Sequence, residues 1–205
     1  MNPESAALTV LKIAEANLPT EYGDFRIHAF EGTAEGRREE AVAVVMGDLP
    51  LQHPVLVRIH SQCLTGDVFH SLRCDCRAQL ELSLEKIAAE GEGIVIYEKK
   101  EGRGIGLLNK IRAYELQDSG ADTIEANERL GFRPDLREYE LPGGILRHFG
   151  VESVRLLTNN PEKIAALEAN GIRVAERVPC EIAGNGQNAV YLRTKKVRMG
   201  HLLDL

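Results

Sequence analysis

The chain of 205 residues contains no tryptophan, only 5% aromatic residues and four cysteines. The missing tryptophan excludes nothing. The scarcity of cysteine in a chain of this length argues against a disulfide scaffold, which belongs to short, cysteine-dense secreted chains. No apolar run approaches the ~20 residues of a membrane-spanning helix, so no membrane partner is expected. The first residues lack a basic stretch followed by a long apolar core, so no secretory signal is expected and a cytoplasmic location fits the reduced thiols. Positive charge is in deficit, with Lys+Arg 25 against Asp+Glu 31 and a net charge of -6. That balance excludes a long nucleic-acid backbone as the expected partner, because phosphate neutralisation requires a basic face. A small phosphorylated ligand needs only a few placed cations and stays open. What is present is 43% hydrophobic and 27% charged residues, the make-up of a folded single domain.

Periodicity divides the chain into alternating elements. Residues from about Ser5 to Asn17 read as an amphipathic helix with Leu8, Leu11, Ile13 and Ala14 inward. Phe25, Ile27 and Ala29 alternate with polar residues over Gly23 to Phe30, the period of a half-buried strand. A polar loop is expected over residues 31–40. Ala41–Met46, Val55–Ile59, Gly93–Tyr97, Ser153–Leu157 and Ile172–Arg177 read as strands. Leu72–Glu90, Gly106–Asp118, a segment ending at Phe149 and Pro161–Asn170 read as helices, the last three closed by Gly120, Gly150 and Gly171. Gly184-Asn185-Gly186 reads as a turn, and the segment from about residue 190 as a loosely held tail. Alternating strands and helices predict one α/β layered domain over residues 1–205.

Three of the four cysteines cluster as Cys63-x10-Cys74-x-Cys76. Clustered reduced thiols point to a metal, and three of them leave a fourth position open. Cys180 lies far off in an apolar context and reads as a buried structural thiol. His60 and His70 flank the cluster as alternative ligands, and buried, unligated thiols are the bland alternative. An open three-thiolate zinc site suits hydrolysis at a polarised carbon.

Gly102, Gly104 and Gly106 sit between a strand and a helix, where glycines let backbone N–H groups approach an anion. The pattern matches neither Walker A nor G-x-G-x-x-G. Arg103 within it can hold a phosphate by its guanidinium fork. Arg58, Lys163, Thr158 and Asn159 are further candidates at strand ends and a helix start. Taken singly, each reads equally as a surface charge or a cap, Tyr114 as a core aromatic, and Asp135 with Arg137 as a surface ion pair.

Together, RIHSQCLTGDVFHSLRCDC (Arg58–Cys76), EGRGIGLLNKIRAYELQD (Glu101–Asp118), DTIEAN with LGF (Asp122–Phe132), VRLLTNNPEKI (Val154–Ile164) and KVRMGHLL (Lys196–Leu203) resemble the GTP cyclohydrolase II family of riboflavin biosynthesis. The resemblance covers nearly the whole chain. It implies a layered α/β/α domain with a mixed β-sheet. It also implies a catalytic zinc, one per subunit, on Cys63, Cys74 and Cys76, magnesium on the triphosphate, and a homodimer. GTP would contact Arg58, Ile59, His60, Ser61, Gln62, Gln79, Glu101, Gly102, Arg103, Thr123, Thr158 and Lys163. Arg137 would be the nucleophile toward the α-phosphorus, with Asp135 as proton acceptor and direct water attack as the simpler alternative. Tyr114 would support ring opening. The family reaction turns GTP and water into 2,5-diamino-6-(ribosylamino)-4(3H)-pyrimidinone 5'-phosphate, formate and pyrophosphate. Rival readings are a homologue that releases pyrophosphate but stalls before formate, and a non-catalytic, zinc-stabilised nucleotide-binding module. Retention of Tyr114 argues against the stalled homologue. The chain departs from the family at Gln62, where glutamate is usual, and at Leu136, where a polar residue is common. With the zinc segment starting near residue 60, no fused N-terminal dihydroxybutanone phosphate synthase domain is expected.

Overall fold

The computed structural model describes residues 8–34, 36–50, 53–133, 135–182, 184 and 186–204, with the side chains of Thr123 and Val190 outside that set. Its centre is a seven-stranded mixed sheet in the order β1-β2-β3-β5-β4-β6-β7. The strands β1 (Thr9–Thr20), β2 (Gly23–Ala34) and β3 (Arg37–Met46) form an antiparallel meander, and β3 pairs antiparallel with β5 (Gly93–Glu98). From β5 the sheet continues in parallel through β4 (Val55–Ser61), β6 (Ser153–Leu157) and β7 (Arg173–Val178).

Strand β4 is buried along Val55–His60, as expected for a parallel strand covered on both faces. Its side chains alternate between two cores. Val55, Val57 and Ile59 join Ile94, Ile96, Ile145 and Leu146 on one face, where α5 (Glu140–His148) and α6 (Pro161–Ala169) lie. Leu56 joins Val95, Leu157 and Ile87 of α2 (Cys76–Glu90) on the other. The result is the expected α/β/α layering. The remaining helices are α1 (Leu64–Asp67), α3 (Gly106–Asp118), α4 (Thr123–Arg129) and α7 (Ala189–Met199). No helix among the described residues is long and apolar enough to cross a membrane.

The N-terminal expectation is overturned: the described part of Ser5–Asn17 is strand β1, not a helix. A register shift between Lys12 and Ala14 breaks strict alternation, so the period of a strand is hidden in the sequence while alanines mimic a helix. Partnership with β2 over nearly its whole length then overrides local propensity. Most of the expected 31–40 loop is likewise hairpin, since β2 runs to Ala34 and β3 starts at Arg37. Helix α2 begins at Cys76 rather than Leu72, because residues 72–75 are spent carrying thiols to the site. The expected tail from about 190 is helix α7, with Leu192 buried. In the turn expected at Gly184–Gly186, Asn185 lies outside the described residues.

Candidate metal and nucleotide site

Strands β4, β5 and β6 all deliver their C-terminal ends to one place, the position where open parallel sheets present ligand groups. Beyond β4 the chain passes Gln62 and Cys63 into the single turn α1. Asp67 at the end of that turn folds back, so that Oδ2 accepts the Cys63 N–H at 3.0 Å and the Tyr97 hydroxyl at 2.8 Å. His60 Nε2 lies 3.1 Å from Asp67 Oδ1, and burial holds its pKa below the ordinary histidine value. This network fixes the first thiol before any metal is considered.

Cys74 and Cys76 come in from the start of α2. The three sulfurs lie within 4.8 Å of one another, with Cys63 and Cys74 Sγ 3.7 Å apart. Thiolates at ~2.3 Å from a tetrahedral ion would be ~3.8 Å apart, so the spacing suits zinc. A Cβ on Gly66 would stand 2.8 Å from Cys74 Sγ and 3.1 Å from Cys63 Sγ, so only glycine leaves room under the thiols. Contacts from Cys74 and Cys76 push the Cys63 thiol far down, while contact with Cys63 pushes Cys74 up to about 11 and also raises Cys76 well above the ordinary thiol value. Close packing therefore favours one thiolate, and a bound cation is what would bring all three into the ionised form. Lys110 Nζ donates to Cys63 Sγ at 3.1 Å and to Glu101 Oε1 at 2.6 Å. Among the described residues the group that could hold a metal contains only these three cysteines. Cys180 is buried beside Ser83 and Gln79, and His60 is engaged by Asp67, so among the described residues neither joins the three thiols as a fourth ligand.

Tyr114 of α3 reaches the rim of the cluster. Its hydroxyl is 3.1 Å from Thr65 Oγ1, which lies 3.7 Å from Cys63 Sγ. The Arg73 guanidinium stacks 4.8 Å from the Tyr114 ring centroid. Burial raises the tyrosine pKa and keeps the phenol protonated, ready to donate.

The same cavity, of about 480 Å³, continues over a floor of cations that includes Arg58, Arg103, Arg137 and Lys163. Arg58 donates to the Leu157 carbonyl at 2.9 Å and to Gln79 Oε1 at 2.6 Å. Lys163 Nζ donates to the Ile59 carbonyl at 2.8 Å, and its pKa is driven well down by burial and by Arg58 and Arg137. Arg137 forks onto Asp135 and touches Ser61 Oγ at 3.3 Å. Burial opposes its charge, but the neighbours, Tyr139 and Asp135 above all, raise its pKa further. Arg103 sits at φ 59°, in the left-handed region that an arginine rarely adopts. Its carbonyl accepts Leu136 N–H at 3.1 Å, and Gly104 is so close to Leu136 that a Cβ would stand 3.0 Å from it. The glycine-rich turn thus docks on the 135–137 segment and brings Arg103 beside Arg137. Arg58 Nε, Arg103 Nη1 and Asn160 Nδ2 are buried donors with no protein partner among the described residues.

Of the residues singled out from the sequence, the cavity gathers Arg58, His60, Ser61, Gln62, the three cysteines, Gln79, Glu101, Gly102, Arg103, Tyr114, Arg137, Thr158 and Lys163. Ile59 turns its side chain into the core and offers only its carbonyl, to Lys163. Asp135 stands behind Arg137. Glu101 is committed to the metal loop, accepting Leu64 N–H at 2.7 Å and Lys110. Thr123 opens α4, with its side chain outside the described residues. Asp67, Asp75, Lys110, Lys195 and His201 were not singled out. The TGD and NKIRAY strings held the first and third in plain view, but only the fold shows what an aspartate four residues past a cysteine is for.

An α/β/α sheet ending in three thiols and a cationic floor defines a site whose residues could hold a metal ion and an anion. The sequence pattern of GTP cyclohydrolase II matches residues 11–179, and the chain belongs to that family. It is 56% identical to the riboflavin biosynthesis protein RibBA of Aquifex aeolicus (strain VF5), over 94% of this chain and 47% of that protein. It is 54% identical to the GTP cyclohydrolase-2 of Azotobacter vinelandii (strain DJ / ATCC BAA-1303), over 96% of this chain and 93% of that protein. The chain thus spans about half the length of the RibBA relatives and nearly all of the stand-alone ones. A two-domain 3,4-dihydroxy-2-butanone 4-phosphate synthase from A. baumannii matches in structure with a TM-score of 0.41 and 19% identity, over 77% of this chain and 35% of that one.

Proposed function

We propose that this protein opens the imidazole ring of GTP and releases formate and pyrophosphate, leaving 2,5-diamino-6-(ribosylamino)-4(3H)-pyrimidinone 5'-phosphate. One observation carries the reading: the thiol cluster and three residues with buried donors that have no partner among the described residues, Arg58, Arg103 and Asn160, line one cavity of about 480 Å³. That volume suits a single nucleotide, and donors without protein partners suit its phosphates. Cys63, Cys74 and Cys76 would hold zinc, which when bound supplies a Lewis acid that makes water acidic enough to attack at neutral pH. Tyr114 Oη, held by Thr65, would donate to the ring nitrogen that gains a proton as the ring opens. Arg103, Lys163 and Arg137 would hold the triphosphate together with magnesium.

The fork of Arg137 onto Asp135 keeps the guanidinium charged, which favours a clamp on the α-phosphate with water as nucleophile over a neutral, attacking arginine. A homodimer remains part of the proposal through the family resemblance, and light scattering measures it. Function is tested by incubating the zinc-loaded protein with GTP and magnesium. Formate and the diaminopyrimidine are expected in equal amounts, and pyrophosphate without formate would assign the chain to the stalled homologues.

A further inference from the structure

The residues matched by the family end at 179, yet the cavity is also lined by Tyr191, Lys195 and His201, which follow that point. Lys195 is buried, 8% exposed, on α7. Its Nζ donates to Asp75 Oδ1 at 2.7 Å and sits 4.3 Å from the Tyr191 ring centroid. Asp75 lies between two of the thiol residues, Cys74 and Cys76. Its second oxygen accepts Gln79 Nε2. An ionised carboxylate can only accept, so Gln79 must turn its amide nitrogen toward Asp75 and its carbonyl toward Arg58. Gln79 Oε1 accepts Arg58 Nη2 at 2.6 Å, and the Leu157 carbonyl takes Nη1. The chain Lys195–Asp75–Gln79–Arg58 therefore orients Arg58, whose Nε has no partner among the described residues. The segment after α7 is tied to the same site, with Leu202 N–H donating to the Asn159 carbonyl at 2.9 Å.

We infer that Lys195 is a positioning residue for the nucleotide site: from the C-terminal helix it aligns Arg58 through Asp75 and Gln79. This rests on the GTP reading above. Arg58 itself would touch substrate, and Lys195 would act on it through the intervening pair.

The test compares zinc-loaded wild type with K195M, K195Q and K195R. Loss of the link misaligns a substrate contact, so K195M and K195Q should raise KM for GTP about tenfold with kcat within about threefold. They should also weaken calorimetric binding of the α,β-methylene analogue of GTP by about tenfold. K195R keeps a cation on Asp75 and should hold KM within about threefold of wild type. A purely structural lysine would instead lower the folded fraction, and with it kcat, at unchanged KM. That pattern in K195M and K195Q, with unchanged analogue binding, overturns the inference. If K195M does not fold, K195Q against K195R decides, and equal KM values in the two overturn it. Wild type that turns over no GTP overturns the functional reading and this inference together, whereas active wild type with unaffected variants overturns the inference alone.

Discussion

Gly66 shows how one residue decides a chemical outcome. Its backbone passes directly beneath the thiols, and a methyl group would stand 2.8 Å from Cys74 Sγ. Gly66→Ala should therefore spread the sulfurs and reduce bound zinc well below one equivalent, read by elemental analysis of the purified protein. Cys74→Ser should remove most zinc and all ring opening, since a hydroxyl replaces a thiolate ligand. If the variant keeps full zinc and activity, the metal assignment is wrong. Tyr114→Phe removes a hydroxyl that meets Thr65 and leaves the ring in place. GTP binding should survive while kcat drops by about 10²-fold, the scale of a lost general acid. Lys163 adds a pH signature. Burial and neighbouring cations depress its pKa in the free protein, and an approaching triphosphate restores its charge. Binding should thus take up a proton above the depressed pKa and weaken as pH rises through it. Calorimetry in buffers of different ionisation enthalpy measures that uptake. The spacing of the cysteines and the presence of Arg103 were legible in the sequence. The crowding at Gly66 was not, because it depends on how the turn folds over the thiols, nor was the contact of Lys110 with Cys63, which joins residues far apart in the chain.

Elements matter here for what they carry. Helix α2 brings Cys76 and Gln79 to the site and roots them by Ile87, fully buried against Leu56 and Val95. The parallel strands were readable as apolar, β-branched runs, and helices α3 and α6 were readable from their start and stop residues. Strand β1 was not, since its alternation breaks at a register shift and its inward positions have meaning only beside β2. Helix α7 was missed because its charges look like a solvated tail, whereas Lys195 is buried on Asp75. Helix α4 has a full capping box: Asp122 accepts from Ile124 and Glu125, and Glu125 reaches back to the Asp122 N–H. Arg198 of α7 also binds Asp122. Asp122→Ala should cost about 1 kcal/mol, at the level of a lost N-cap, measured by urea unfolding.

At the scale of the whole molecule, the fold buries imidazoles that the unfolded chain would expose. Burial lowers the pKa of His28, and burial beside Lys195, Arg103, Arg137 and Lys163 lowers that of His201 to about 3. In the unfolded chain these groups take up protons near pH ~6.5, while in the native state that uptake is shifted to lower pH. The unfolded state then binds more protons, so stability is expected to fall as pH drops below about 6.5. The depressed carboxyls of Asp75 and Asp135 act in the same direction further down, from about pH 4. Thermal unfolding between pH 8 and pH 4 checks this, and a flat or rising midpoint on acidification would refute it.

The amino-acid sequence by itself determined the chemistry on offer: thiols at a metal-binding spacing, an arginine among glycines, and apolar runs that can only be buried strands. It also carried the family resemblance. Local patterning could not show which charges are buried, because burial is a property of neighbours that the chain reaches only after folding. The tertiary structure alone decided that β1 is a strand, that Asp67 and Lys110 hold the first thiol, and that the C-terminal helix is a wall of the site. For β1, Lys110 and the C-terminal helix the reason is a contact between segments apart in the chain, whereas Asp67 lies only four residues from Cys63 and is turned back onto it by the single turn α1.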